Sequence, residues 1–465
     1  MHELISKLQG KNIHIVGVSG AEGSNILRFL AKHKISGITA HDFSNKISLE
    51  KNFRLWHKGL MPQERNKQYQ QFKNYLSNVK LNLDKSYLSD IQQADIVFVP
   101  QSWRLYKMEN LPLFSVVGKI PFYSLTRLYL DFAPAKIIAV TGTVGKGSTA
   151  NIIFQLLNAN GKKAYFAGND TWMAQLGDKL DEMAKDDFLV LEISHRQLLD
   201  GFTKAPYMVV VTNLYPNHLD EVSWEEYINL KLSLVRTQEQ RGISILNYDI
   251  PQLRLDGKLK SKIFYFSVKT PEKNTKSIQN IYDKLLNNKS DQYLSNLLAG
   301  LTVLEILGQT LIKVLPQLLK IKPLPARIDL IGKINGINFY DDIKSTTPWA
   351  TVAAVNKLGE NTILICGGKT KGIDYNDFAN NLLKRVKFTI MIKSELSETL
   401  VKLMPEGSFI LENDLAKAIS IAYKKAIVSD NILLSPGAGF FYSDFIKGKK
   451  SYRKLITSLL PKEQV

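Results

Sequence analysis

Cysteine is almost missing from this chain: Cys366 stands alone. An internal disulfide is excluded, which fits a reducing compartment and points to the cytoplasm. No apolar run approaches the ~18 residues that a membrane helix needs. The opening segment, MHELISKLQGKNIHIVGV, lacks an apolar stretch followed by a small-residue cleavage site, so no secretory leader is expected. Long tracts of Pro, Gly or Ser are absent, and no internal repeat is evident. Acidic residues are in short supply: 43 Asp and Glu face 61 Lys and Arg, a formal net charge of +18. That balance leaves two broad readings, a binder of nucleic acid or membrane surface, or an enzyme with strongly anionic substrates. The lysines are dispersed and no nucleic-acid motif accompanies them, so the nucleic-acid reading is the weakest.

What is present is ordinary for a folded protein. Apolar residues make up 45% and charged residues 22%, which excludes a disordered or low-complexity chain. At about 150 residues per domain, 465 residues suggest three domains. Short β-branched runs at 13–18, 96–99, 137–140, 188–193, 207–212, 362–366 and 431–434 alternate with amphipathic stretches. Such runs read as buried parallel strands between helices. The fold class expected is α/β with three domains. These are a Rossmann-like N-terminal domain at 1–118, a P-loop central ATPase domain at 119–322 and a Rossmann-like C-terminal domain at 323–465. The lysine-rich stretch 258–289 reads as a solvated surface excursion.

One local signal dominates, KIIAVTGTVGKGSTANIIFQLL. A strand runs into Gly142, Thr143, Gly145, Lys146, Gly147, Ser148 and Thr149, and a helix follows. The glycines let successive backbone N–H groups turn toward one anion, and the helix N-terminus adds positive potential. Lys146 would reach the β- and γ-phosphates of ATP, and Ser148 or Thr149 could ligate Mg²⁺. The pattern T-G-T-x-G-K-G-S-T differs from G-x-x-x-x-G-K-[ST]. It resembles the ATP loop of the Mur ligases and of the related folylpolyglutamate synthetases.

Later motifs extend that resemblance in order. In FLVLEISHRQL, Glu192 ends an apolar strand, where a carboxylate can hold Mg²⁺ against a nucleotide. The segment is similar to L-E-[LI]-S-S-x-Q-L, with Ser194 and Gln197 matching and His195 in place of the second serine. VVVTNLYPNHLDEVSWEEYINLKLSLV resembles N-[VI]-x-x-[DN]-H-[LM]-D, with Asn213 and Asp220 matching. The resemblance implies that His218 is a metal ligand. Trp224, Tyr227, Ile228, Lys231 and Leu234 or Val235 share one helix face, so a lysine occupies a slot on an apolar stripe. Lys231 could snorkel its ammonium to water. The family resemblance implies instead that CO₂ carbamylates Lys231, giving a carboxylate-like anion able to bind Mg²⁺; an ammonium there would repel the metal and suffer from burial.

NNKSDQYLSNLLAGLTVLEIL places Asn296 where the family asparagine contacts adenine, with Gln292-Tyr293 in place of its H-N pair. LPARIDL resembles L-P-H-R-[FI]-E, implying that Arg327 sits at the hinge into the last domain and reaches the nucleotide. INFYDDIKSTTPWATVAAV resembles N-D-S-K-A-T-[NT]-P-x-A-T. Asp342, Lys344 and Thr346 match, Ile343 replaces a serine, and Lys344 would bring charge to the transferred phosphoryl group. In ILICGGKTKGIDYNDF, Lys371 matches the lysine that holds the incoming amino acid's carboxylate, and the resemblance gives Thr346 to amino-acid binding as well.

The first domain carries Gly17, Gly20 and Gly23, with Asp42 about 20 residues on, a loose dinucleotide fingerprint that NAD binding would also fit. The resemblance implies instead that Ser19, Gly20 and Asp42 receive the UDP end of the substrate. Phe43-Ser44 stands where T-R commonly follows the acid, and Val99-Pro100-Gln101-Ser102 stands for S-P-G. Asn169 in Gly168-Asn169-Asp170 would reach the same substrate, as would Ser194 and Gln197.

The implied activity is an ATP-dependent acid–amino-acid ligase that works through an acyl phosphate, with Lys146, His218, Lys231 and Lys344 catalytic. The implied metal ligands are Ser148, Glu192, His218 and carbamylated Lys231. The implied partners are UDP-N-acetylmuramoyl-L-alanine, ATP and D-glutamate, with Mg²⁺, no nucleic acid, no membrane and a monomeric chain. Phe440 stands where a family serine would hold the D-glutamate side chain. A sister ligase for another amino acid, a folylpolyglutamate-type ligase and a non-catalytic nucleotide binder therefore stay open.

Overall fold

A strand that is apolar on both sides needs cover on both faces, and helices supply it in α/β proteins. The computed structural model bears this out; it describes residues 2–57, 59–169, 175–286, 291–439 and 452–459. Phe440 lies outside the described residues. The first sheet holds β1 (Ile13–Val16), β2 (Ile38–Asp42), β3 (Lys80–Leu83), β4 (Ile96–Phe98) and β5 (Phe122–Tyr123). Its order, β3-β2-β1-β4-β5, is parallel throughout, with the reversal of a Rossmann-like sheet beside β1. Because β5 pairs with β4, this sheet reaches Tyr123, past the boundary expected at 118. The turn after β1 leads into α1 (Ala21–Lys32).

The central sheet holds β6 (Lys136–Thr141), β7 (Ala164–Gly168), β8 (Phe188–Glu192), β9 (Met208–Val211), β10 (Ile243–Asn247) and β11 (Lys262–Phe266). Its order is β11-β10-β9-β6-β8-β7, again parallel. β11 corrects the reading of 258–289 as a surface excursion. Its apolar I-F-Y-F core pairs with β10 at the sheet edge, and the flanking lysines hide the signal. Alternation along β6 shows why both faces are covered: Ile137 and Ala139 pack into one core, Ile138 and Val140 into another. The first of those cores also takes in Ile13, Ile15 and Phe29, so it runs on into the N-terminal domain.

The third sheet holds β12 (Asp329–Ile334), β13 (Ile337–Asp341), β14 (Thr362–Gly367), β15 (Phe388–Ile392), β16 (Phe409–Glu412) and β17 (Asn431–Gly437). Its order is β12-β13-β17-β14-β15-β16, parallel apart from β12 against β13. That antiparallel edge forms because Asn335 and Gly336 both take positive φ, 48° and 80°, the two-residue turn that matches strand twist. Among the described residues no helix is long and apolar enough to cross a membrane.

Candidate active site

Ligands of open α/β sheets gather beyond the carboxyl ends of the strands. Beyond β6 the chain forms a loop whose Gly142 and Gly145 adopt φ of 140° and 82°. A Cβ at Gly142 would collide with Thr212 Oγ1, and one at Gly145 with Asn296 Oδ1. Asn213 pins the loop from β9: its Oδ1 accepts from the N–H of Thr143 (3.1 Å) and Val144 (2.8 Å), and its Nδ2 donates to Val144 O (2.9 Å). The helix α2 (Lys146–Ala159) follows, with Ser148 in its first turn. Lys146 Nζ donates to Thr143 O at 3.0 Å. Burial lowers the Lys146 ammonium's pKa, with Arg327 adding to the drop and Glu192 opposing it. Thr149 Oγ1 is buried without a hydrogen-bond partner.

Glu192 closes β8 against this loop: a Cβ at Gly147 would stand 2.9 Å from its Oε2. Next comes α3 (His195–Leu198), opened by a reciprocal cap between Ser194 and Gln197. Lys231 lies on α4 (Trp224–Arg236), whose start Ser223 and Glu226 cap in the same manner. Only 1% of Lys231 is exposed, so it does not snorkel. Its ammonium stands 4.6 Å from the centre of the Tyr227 ring. Burial drives its pKa far down, Lys146 pushes the same way, and Glu192 pulls against them. His218 faces the same cleft with φ of 59°. Its Nδ1 lies 2.9 Å from Glu221 Oε1, and Arg196 grips that carboxylate. The donor set suits a hard dication: a carboxylate at Glu192, hydroxyls at Ser148 and Thr149, and an orphaned Thr149 oxygen. The residues present therefore fit Mg²⁺.

The third domain supplies the opposite wall. A cleft of ≈ 300 Å³ is lined by Thr143, Gly145, Lys146, Gly147, Asn169, Glu192 and His218 from one side. Arg327, Lys344, Thr346 and Lys371 line it from the other. Arg327 donates to Lys344 O at 3.1 Å. Lys371 Nζ donates to Thr346 O at 2.9 Å, and burial with the neighbouring Lys146 and Arg196 lowers its pKa to about 7. Asp342 does not line the cleft. Its Oδ1 accepts from the Ile328 N–H and its Oδ2 from the Ser435 hydroxyl, and burial raises its carboxyl to about 6. Asn296 lies under the loop, accepting from Gln292 at 2.9 Å. Arg196 is a cleft cation that the sequence reading passed over; the only signal was a basic residue inside the S-x-x-Q turn.

The first-domain group stands apart from this cleft. Asp42 Oδ2 accepts from Ser19 N–H at 2.9 Å, and its Oδ1 from the N–H and hydroxyl of Ser44. Gly20 caps α1, and a Cβ at Gly23 would strike the Gly17 carbonyl, so helix and strand are close-packed there. Gln197 is spent on structure, donating to Thr126 Oγ1 at 2.6 Å and accepting from Ser194 N–H at 2.8 Å. Ser194 Oγ donates to Gln101 at 3.3 Å. Glu22 was not anticipated. Its carboxylate, in the first turn of α1, accepts from Gln101 N–H at 2.8 Å, and burial raises it to about 7.

A phosphate loop beside a buried lysine and a metal-competent carboxylate, facing a cationic wall on a third domain, defines an ATP-dependent ligase class. The Mur ligase middle-domain family matches residues 140–339. A UDP-N-acetylmuramoylalanine–D-glutamate ligase of Acetivibrio thermocellus is 26% identical, covering 99% of this chain and 99% of its own. A protein of that description from a Thermoanaerobacter species is 30% identical, covering 70% of this chain and 77% of its own. The fold is shared with the UDP-N-acetylmuramate–alanine ligase of Thermotoga maritima: TM-score 0.59, 14% identity, 97% of this chain and 99% of that one. The chain belongs to the Mur ligase family and is an ATP-dependent, amide-bond-forming ligase.

Proposed function

We propose that this chain joins D-glutamate to UDP-N-acetylmuramoyl-L-alanine in the cytoplasm, as a monomer, in peptidoglycan precursor synthesis. Support for the substrate pair comes from relatives of that description, one along 99% of the chain and one along 70%. The observation that carries the chemistry is the cleft that joins Lys146, Glu192 and His218 to Lys344 and Lys371. In this reading residues 1–118 receive the UDP substrate, 119–322 hold ATP and 323–465 deliver the amino acid.

The substrate's carboxylate oxygen attacks the γ-phosphorus of ATP and ADP leaves. Lys146, from the loop, and Lys344, from the opposite wall, meet the negative charge spread over the transferring group. Gly142, Thr143, Gly145 and Gly147 cradle the phosphates, while Asn296 and Arg327 hold the rest of the nucleotide. Asp342, with both oxygens engaged, fixes the hinge that carries Arg327 rather than meeting ATP. Lys371 and Thr346 orient the amino acid so that its amine adds to the acyl carbon; the tetrahedral adduct expels phosphate and the nitrogen loses its proton. Ser148, Glu192, His218 and carbamylated Lys231 would hold Mg²⁺, whose charge would offset that of the phosphates. The carbamate forms when the neutral Lys231 amine adds to the carbon of CO₂ and gives up a proton. Ser19, Gly20, Asp42, Asn169, Ser194 and Gln197 shape the path of the UDP substrate; Glu22, a carboxylate at that turn, disfavours a diphosphate against α1 itself.

The test is phosphate release from ATP with UDP-N-acetylmuramoyl-L-alanine and a panel of amino acids. Release with D-glutamate alone is expected. Release with another amino acid would move the chain to a sister ligase, and release independent of any amino acid would sink the ligation proposed.

A further inference from the structure

Beside the cleft lies a cluster that the ligase chemistry leaves half unused. His195 stands where the family pattern has a serine, and 4% of it is exposed. Its Nε2 is buried without a hydrogen bond, and Glu221 Oε2 is 3.6 Å away. The His195 and His218 rings lie 4.3 Å apart, tilted by 34°, and the Glu221 carboxylate reaches both. One donor atom from each of the three residues falls within 4.8 Å of the others. Zinc–ligand bonds of about 2.0 Å put neighbouring donors about 3.3 Å apart on a tetrahedron. His218 Nδ1 lies 2.9 Å from Oε1 of Glu221 and His195 Nε2 3.6 Å from its Oε2, so each imidazole faces one carboxylate oxygen at a separation near that value. The guanidinium of Arg196 already pairs with this carboxylate and stands 3.4 Å from His218 Nδ1, so the cluster holds a cation now.

We propose that His195, His218 and Glu221 form a site for a borderline transition dication such as Zn²⁺, which displaces Arg196 and withdraws His218 from the reaction. Two imidazoles and one carboxylate are a zinc donor set, whereas Mg²⁺ prefers oxygen. An ion on His218 Nδ1 leaves the ring proton on Nε2. That removes the lone pair which the proposed reaction gives to the catalytic cation. Zinc is thus a reversible inhibitor, and because both ions draw on the His218 imidazole, excess Mg²⁺ opposes it. The inhibition rests on the proposed role of His218, and the binding does not.

Competition against a zinc-chelating dye, on the full chain without substrates, tests the site. The wild type should bind one Zn²⁺ per chain, His195→Ser should bind at least tenfold more weakly, and Arg196→Gln several-fold more tightly. His195→Ser should retain Mg²⁺-dependent phosphate release and lose its inhibition by zinc. Equal zinc affinity in wild type and His195→Ser overturns the site. Should that variant not fold, an Arg196→Gln affinity no tighter than wild type overturns it instead. Zinc binding that depends on His195 but leaves phosphate release untouched would keep the site and overturn the role given to His218.

Discussion

At Lys231 a chain otherwise rich in exposed lysine spends one on an interior position with 1% exposure, against Tyr227 and within the field of Lys146. Such burial disfavours the ammonium, so the amine is available to CO₂ and the resulting anion answers the cations around it. Lys231→Ala should lower phosphate release by ~10²-fold or more, the order expected when a charge-stabilising group is lost. A short-chain carboxylic acid should partly restore it, whereas wild-type turnover would refute the carbamate. A second residue-scale prediction concerns His14 and His41, stacked 4.9 Å apart in the first domain. Leu88 N–H donates to His41 Nδ1, so His41 Nε2 carries the proton and gives it to His14 Nδ1 at 2.9 Å. Burial lowers the two pKa values to about 4 and about 3, below the ordinary 6.5. The unfolded chain then binds more protons than the folded one between pH 6.5 and about 4, so stability falls as pH falls through that window. Melting temperature against pH should show this slope, and replacing the pair together as His14→Leu and His41→Phe should reduce it, His57 and His195 keeping the remainder.

At the scale of elements, the phosphate loop depends on a side chain from the next strand as much as on its own glycines. Asn213 satisfies two loop N–H groups and one carbonyl. Asn213→Ala should destabilise the fold by about 1–3 kcal/mol, the cost of stranding buried polar groups. It should also weaken ATP binding, which calorimetry with ATP would read; unchanged affinity would mean the glycines hold the loop unaided. The loop, Glu192 and the buried lysine were legible in local pattern, as a glycine-rich turn, a strand end and a slot on a helix face, whereas His218 was read only through the family resemblance. The β12–β13 hairpin was written in Asn335-Gly336 between two isoleucines, yet the α/β rhythm of the rest masked it. β11 was masked by flanking lysines, because an edge strand tolerates charge at its ends. Glu22 and Arg196 were not legible in the sequence. Their importance comes from what the fold sets opposite them, Gln101 N–H and Glu221, which no local pattern encodes.

At the scale of the molecule, the reaction proposed needs the third domain pressed onto the central one, and the contacts that do this lie around the His218 loop. Leu219 N–H donates to Lys371 O at 2.8 Å, joining the metal-side loop to the amino-acid-side lysine through backbone alone. Gly372, with φ of 67°, lets the chains meet: a Cβ there would stand 2.9 Å from Asp220 N. Tyr215 stacks on Trp349 with centroids 5.2 Å apart and planes 15° from parallel, Trp349 lying on α5 (Pro348–Leu358). Opposing these contacts, Lys146, Arg196, Arg327, Lys344 and Lys371 crowd one cleft, so closure without anions carries a repulsion that ATP relieves. The aromatic stack, like the backbone contact at Leu219, is a part of the closing force that does not depend on ligand charge. Pairs of this kind contribute about 0.5–1.5 kcal/mol, which corresponds to roughly a 2- to 12-fold change in an equilibrium. Trp349→Ala should therefore raise KM for the amino acid by a factor in that range, and weaken ATP binding by no more than the same factor, because closure brings Arg327 and Lys344 to the nucleotide. Added salt should narrow the gap between the two proteins by screening the cations that the stack works against. A variant with unchanged KM, and with the solution radius of gyration of the wild type, would show that the backbone contact at Leu219 and Lys371 closes the cleft by itself.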